Sequence, residues 1–183
     1  VTTGVENTLI GGLAGGALTL GQENTAVGYA ALGADTLGNH STALGHRALV
    51  SQNFTTATDS FNTAVGFAAG AAVTTGIRNT LMGSGAGDAI QASSENTAVG
   101  YNALTTDTNG SQSVAFGAYA LQTQNYGSGT SSYNTAVGYA AGGAVTTGIQ
   151  NTLIGGGAGD AINVGVNNVA VGYLALSGET GGQ

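Results

Sequence analysis

Apolar and small polar residues alternate in one short phrase that returns along the whole chain. A polar Asn or Ser is followed by a β-branched Thr or Val, then by Ala or Leu, then by Ile, Val, Leu, Met or Phe, and the phrase closes on Gly. The closing glycines are Gly11, Gly28, Gly45, Gly66, Gly83, Gly100, Gly117, Gly138, Gly155 and Gly172, at intervals of 17, 17, 21, 17, 17, 17, 21, 17 and 17 residues. The residues before each glycine alternate in side and favour a short strand. The glycine itself suits a bend or a close backbone approach. Three positions later stands Ala in all ten copies, from Ala14 to Ala175, where a side chain is wanted but only a methyl fits. Ten positions later stands a second glycine in eight copies, which reads as another corner. A unit of this length repeated end to end predicts an all-β fold, a parallel β-solenoid or β-roll of about ten 17- or 21-residue coils. Coils stacked at about 4.8 Å would make a rod roughly 45 Å long. Residues 1–183 form a single repetitive domain on this reading.

Stacking places equivalent residues in columns. The column of Asn7, Asn24, Asn62, Asn79, Asn96, Asn134, Asn151 and Asn168, with Ser41 and Ser113, can bond up and down the ladder. Tyr29, Phe67, Tyr101, Tyr139 and Tyr173 share the position after the closing glycine and are expected to form broken stacks, with His46 filling one tyrosine slot. Thr and Val of each strand point one way, Asn and Ala or Leu the other. Apolar groups therefore lie on both faces, whereas a strand with one wet face alternates apolar with polar. One face can be the solenoid's own core; three chains around an axis would cover the other, so a homotrimer is expected.

A longer period overlies the short one. Residues 62–90 recur at 134–162, an offset of 72 that equals three coils of 17 and one of 21. Coils also alternate in pairs between an Ala-Leu type (Ala31-Leu32, Ala48-Leu49) and an Ala-Gly type (Ala69-Gly70, Ala86-Gly87). The 21-residue coils carry extra residues between Phe54 and Phe61 and between Tyr126 and Tyr133. Those four aromatics are the candidate binding residues, since loops on a rigid scaffold carry recognition; a tolerated surface insertion is the simpler alternative. Val1-Thr2-Thr3-Gly4-Val5 matches Val73-Thr74-Thr75-Gly76-Ile77, which lies inside a repeat. The chain is accordingly expected to be a segment of a longer fibre or a processed piece.

Composition narrows the partners. The chain has 34 glycines, no proline, no cysteine and no tryptophan, and its only cationic side chains are Arg47 and Arg78. Net charge is −7, yet charged residues are only 6% of the chain against 42% hydrophobic. Disordered chains carry charge and lack apolar residues, so this one should fold. Two arginines cannot supply the basic stripe that nucleic acid or an anionic membrane surface requires, and no apolar run reaches the ~18 residues of a membrane span.

Catalysis needs a convergent cluster of unlike groups. His40 with Asp35 and Ser41 could be forced into a triad, but the spacing does not support one. Asp88 and Asp160 recur 72 apart in Gly-Ala-Gly-Asp-Ala, and Asp35, Asp107 and Glu179 form a second such set. Repeated acids in glycine-rich turns suggest calcium-binding rolls, but the nine-residue Gly-Gly-x-Gly-x-Asp pattern is missing; turn capping is the expected role. Arg47 and Arg78 are expected at the surface, each beside an acid. No enzyme activity, cofactor or metal is expected. A threonine column also raises ice binding, although Thr stands beside Val rather than beside a second Thr.

Asn24–Leu32 and Asn96–Leu104, Asn-Thr-Ala-Val-Gly-Tyr-x-Ala-Leu, resemble the head repeats of YadA-like trimeric autotransporter adhesins. They are also similar to repeats of phage tail fibres and surface proteins that end in an endosialidase-type intramolecular chaperone. The resemblance covers essentially the whole chain, although adhesin-head repeats run nearer 14 residues. It implies a left-handed parallel β-roll, trimeric, extracellular, on a cell surface or a virion. The expected function is a structural or adhesive fibre segment: a rigid, protease-resistant spacer and multivalent surface, with a host-surface glycan or protein receptor as partner. The alternative is a monomeric solenoid binding ice or a glycan surface.

Overall fold

The computed structural model describes residues 3–178, all of them strand, bend, turn or irregular. Ten three-residue strands carry the repeat phrase: Thr8–Ile10, Thr25–Val27, Thr42–Leu44, Thr63–Val65, Thr80–Met82, Thr97–Val99, Val114–Phe116, Thr135–Val137, Thr152–Ile154 and Val169–Val171. They form one ten-stranded parallel sheet in sequence order. Register is one winding per step: Thr25 pairs with Thr8 and Thr42, and Val65 with Leu44 and Met82. The expected β-solenoid of stacked coils is therefore the observed architecture. Two shorter parallel pairs, Gly38–Asn39 with Thr58–Asp59 and Gly110–Ser111 with Thr130–Ser131, attach the 21-residue coils to the coils before them. The Val1 and Glu179 readings lie outside the described residues.

The corners are left-handed. Each closing glycine has φ between 121° and 138°. A Cβ on Gly28 would lie 2.4 Å from the Gly45 carbonyl oxygen, so successive corners stack backbone on backbone with no room for a side chain. Three further columns hold the left-handed conformation even without glycine. They contain Glu23, His40 and Arg78 five positions before the closing glycine, Ala30, Arg47 and Tyr119 two positions after it, and Leu32, Leu49, Leu104 and Leu121 four positions after it. An L-residue there costs roughly 1–2 kcal/mol. At the residues named the conformation persists because the N–H is bonded to the adjacent coil: His40 to Gln22 O (3.1 Å), Ala30 to Gly12 O (2.9 Å), Leu32 to Ala48 O (3.0 Å).

Inside the coil, Ala31, Ala48, Ala69, Ala86, Ala103, Ala120, Ala141 and Ala158 are wholly buried, as expected of a site that admits only a methyl. Around them three positions trade volume: the strand centre, the residue four after the closing glycine, and the residue seven after it. Successive coils read Ala26/Leu32/Asp35, Ala43/Leu49/Gln52, Ala64/Gly70/Val73 and Leu81/Gly87/Ile90, and the series repeats from Ala98/Leu104/Asp107. A Cβ on Gly87 would meet Leu81 Cδ2 at 2.7 Å and Ile90 Cδ1 at 2.9 Å, and one on Gly70 would meet Leu81 Cδ1 at 2.7 Å. Leu81 thus occupies the space that the glycines of two adjacent coils leave open. Close packing of this kind is felt at the level of one methylene, and it explains the alternation of Ala-Leu and Ala-Gly coils.

The asparagine column forms the expected ladder, and from Asn7 to Asn151 each carboxamide both donates and accepts. Asn24 Oδ1 accepts from the Ser41 N–H (2.8 Å), while its Nδ2 donates to Gly38 O (2.8 Å). Asn79 and Asn96 repeat the pattern through the next coils. A buried amide with all its bonds made avoids the desolvation cost of a lone polar group.

Candidate functional site

The ladder is interrupted at Ser41 and Ser113, and there the 21-residue coils build a buried polar knot. Gln52 Nε2 donates to Asp35 Oδ2 (2.6 Å) and Ser41 Oγ (2.7 Å), and its Oε1 accepts from Asn62 Nδ2 (2.8 Å). Asp35 Oδ1 caps the turn by accepting from the N–H of Gly38 (3.0 Å) and of Phe54 (3.2 Å). The same knot recurs 72 residues on: Gln124 bonds Asp107, Ser113 and Asn134, and Asp107 accepts from the Gly110 N–H (2.8 Å). Turn capping is thus what Asp35 and Asp107 do, but from inside the core, with no exposed surface. Burial pushes the Asp107 carboxyl above its ordinary value, against the lowering effect of its bonds from Gln124 and the backbone. In the second knot Tyr126 donates its hydroxyl to Gly148 O (2.6 Å). Burial, seconded by the Asp107 charge, pushes that phenol up to about 12.

Of the four candidate binding aromatics, Phe54 and Tyr126 therefore turn inward to pack on these knots, while Phe61 and Tyr133 are exposed. Phe61 stacks on His40 (5.1 Å between ring centroids, 2° between planes). The His40 nitrogens face Glu23 (3.4 Å) and Asp59 (3.5 Å), not Asp35 or Ser41, which are buried. Nothing like a triad is assembled. Asp88 accepts from Thr105 Oγ1 of the next coil, and Asp160 Oδ1 is buried without a hydrogen-bond partner. Arg78 pairs with Glu95 (3.1 Å) on the surface, an exposed pair of little energetic weight; Arg47 has no ion pair among the described residues.

Two surfaces stand out instead. The outer face of the ten-stranded sheet carries the threonine column beside a column that alternates strictly between a large residue and valine: Ile10, Val27, Leu44, Val65, Met82, Val99, Phe116, Val137, Ile154, Val171. The large members are all exposed, Phe116 at 53% and Ile10 at 59%. Around the closing-glycine corner runs the aromatic column. Tyr29, His46 and Phe67 stack face to face at 5.4 and 5.2 Å. Four coils on, Tyr101 and Tyr139 meet edge-on through Tyr119, which comes from the neighbouring position because the column itself holds Ala118 there. The broken stacks expected from sequence are present, but the part of Tyr119 was missed; the signal was the alanine in the aromatic slot.

Among the described residues there is no enclosed pocket, no group of three side chains able to hold a metal ion, and no helix long and apolar enough to cross a membrane. No protein-family model, curated protein or solved structure matches the chain.

Proposed function

We propose that this chain is a segment of an extracellular fibre, of the adhesin-head or tail-fibre kind, that works as a stiff spacer and repeated binding surface rather than as an enzyme. Three copies pack with their outer sheet faces toward one another, on a cell surface or a virion. The observation that carries this reading is the exposed apolar column. A solvated sheet face has no need of ten in-register apolar residues, still less of a regular alternation of knobs and valines along about 45 Å of rod. Exposed apolar area of that continuity marks an interaction surface, and a second copy of the same column has the same period. The binding function is multivalent, with weak contacts summed along the rod.

Sedimentation equilibrium tests it directly. The chain is expected to run at three times its 17.6 kDa mass, and Met82→Lys with Phe116→Lys is expected to return it to the monomer with the fold intact by circular dichroism. A wild-type chain that stays monomeric at high micromolar concentration would remove the reading. In that case the closed single-chain core and the half-exposed threonine column favour the second reading, a monomer that docks on ice or a glycan surface, for which thermal hysteresis is the direct measurement.

A further inference from the structure

The aromatic column is interrupted, and the interruption has a shape. Ring contacts stop at Phe67 and resume at Tyr101; the coil between them presents Ser84 and Gly85. Phe67 is 59% exposed and Tyr101 51%. Within the ladder each coil advances the rings by 5.2–5.4 Å. Phe67 and Tyr101 are two coils apart, so the gap spans about twice that step. Stacked rings settle at roughly 4.5–7 Å, so one more six-membered ring, seated at that distance from each wall, fills the interval.

The floor of the gap is polar. Gly85 is held at φ 67°, and the position its Cβ would occupy lies 2.4 Å from Asn102 Oδ1, so the Asn102 side chain lies across it. Neither the Ser84 hydroxyl nor the Asn102 carboxamide has a hydrogen-bond partner among the described residues. Asp88 Oδ1 is engaged by Thr105, which leaves Oδ2, 3.9 Å from the same Cβ position, free to accept. Apolar walls with a hydroxyl, an amide and a carboxylate oxygen between them suit a ring whose faces are C–H and whose rim is hydroxyl. That is a pyranose sugar. The carboxylate, in a chain of net charge −7, selects a neutral sugar over an acidic one.

We propose that the slot between Phe67 and Tyr101, floored by Ser84 and Asn102, binds one neutral pyranose unit of a polysaccharide. This deepens the fibre reading and rests on it for its biological setting, since the slot lies around the corner from the face assigned to the sister chains. The corresponding gap 72 residues on, between Tyr139 and Tyr173, has Gly156 and Leu174 in place of Ser84 and Asn102; it keeps the carboxylate, Asp160, but lacks the hydroxyl and the amide.

Fluorine NMR of the chain labelled with 4-fluorophenylalanine tests the slot, because the four phenylalanines report on four places. Phe67 walls the slot, Phe54 is buried, Phe61 is on the exposed corner and Phe116 is on the outer sheet face. Maltohexaose, cellohexaose and chitohexaose are titrated separately. At least one is expected to shift the Phe67 signal saturably while the other three signals hold. Ser84→Tyr, which completes the aromatic ladder with a residue the column already accepts, and Tyr101→Ala are each expected to weaken the effect at least tenfold. A Phe67 signal that ignores all three sugars, or that responds undiminished in Ser84→Tyr, overturns the slot. The Phe116 signal separates the two proposals: its dependence on protein concentration reports packing between chains, so a silent Phe67 beside a concentration-dependent Phe116 removes the slot and leaves the fibre reading standing.

Discussion

Single residues in this molecule are chosen by backbone angle as much as by side chain. Arg47 occupies a left-handed corner at φ 60°, exposed and without an ion pair among the described residues. Its N–H is bonded to Tyr29 O (2.9 Å), so the angle cannot relax without breaking a link between coils. Arg47→Gly relieves the strain and removes no buried contact; a gain of about 1 kcal/mol is expected, read as a rise in thermal midpoint. The closing glycine is the opposite case. Gly28→Ala places a methyl against the Gly45 carbonyl at a corner where φ is already 133°, and a loss of more than about 3 kcal/mol is expected in denaturant unfolding. A Gly28→Ala chain as stable as the parent would mean the corners do not stack as described.

At the scale of a coil, what matters is which residues share a layer. Leu81 and Gly87 are one decision, since the leucine fills the volume the glycine vacates. Gly87→Leu alone overpacks the layer and Leu81→Ala alone leaves a cavity. Their combination approaches the Ala26/Leu32 arrangement of another coil, and a double-mutant cycle is expected to return a favourable coupling of about 1 kcal/mol or more. The 21-residue coil makes a pH prediction. Tyr126 binds its proton more tightly when folded than when unfolded, so its contribution to stability is complete below about pH 10 and is lost as pH climbs through about 12. Tyr126→Phe, which installs the residue found at the equivalent position 54, is expected to flatten the alkaline limb of the stability profile. Asp107 has the same sign at acid pH. Its raised folded pKa means that its contribution declines as pH rises from 3.8, so the knot is not what unfolds the chain in acid.

The coil was readable from sequence because the repeat writes each position ten times. The strand phrase, the methyl-only alanine, the asparagine ladder and the paired coil types needed only alignment on the closing glycine. The inward turn of Phe54 and Tyr126 was not readable, because an aromatic in an insertion looks the same whether it packs beneath the loop or projects from it. Nor was burial of Asp35 and Asp107. Their partners Gln52 and Gln124 sit one coil away at the same position; the Val73, Ile90, Val145 and Ile162 that share the column point inward, but Asp and Gln by their own polarity point to the surface. Left-handed leucines were equally hidden, since leucine has no preference for that angle and accepts it here only for the sake of the core.

For the molecule as a whole, each coil touches only its neighbours, so stability is a sum of coil and interface terms. Trypsin has two sites, after Arg47 and Arg78, and both backbones are held to adjacent coils, Arg78 through its N–H to Ser60 O (2.7 Å). The folded rod is expected to survive trypsin intact under native conditions; rapid appearance of a fragment ending at Arg47 would show that the coils open singly.

The exchange of volume between layers gives the rod a grain. Joining Gly83 directly to Tyr101 removes one winding but sets Leu81 and Leu104 at the same level, two large side chains where the pattern admits one. Joining Gly66 to Tyr139 removes 72 residues, yet every layer meets the neighbour it had before. The first excision is expected to lower the thermal midpoint and the second to spare it. Reach in such a rod would then change by quanta of four turns, about 19 Å at a time, much as a zip fastener can be shortened only between whole teeth.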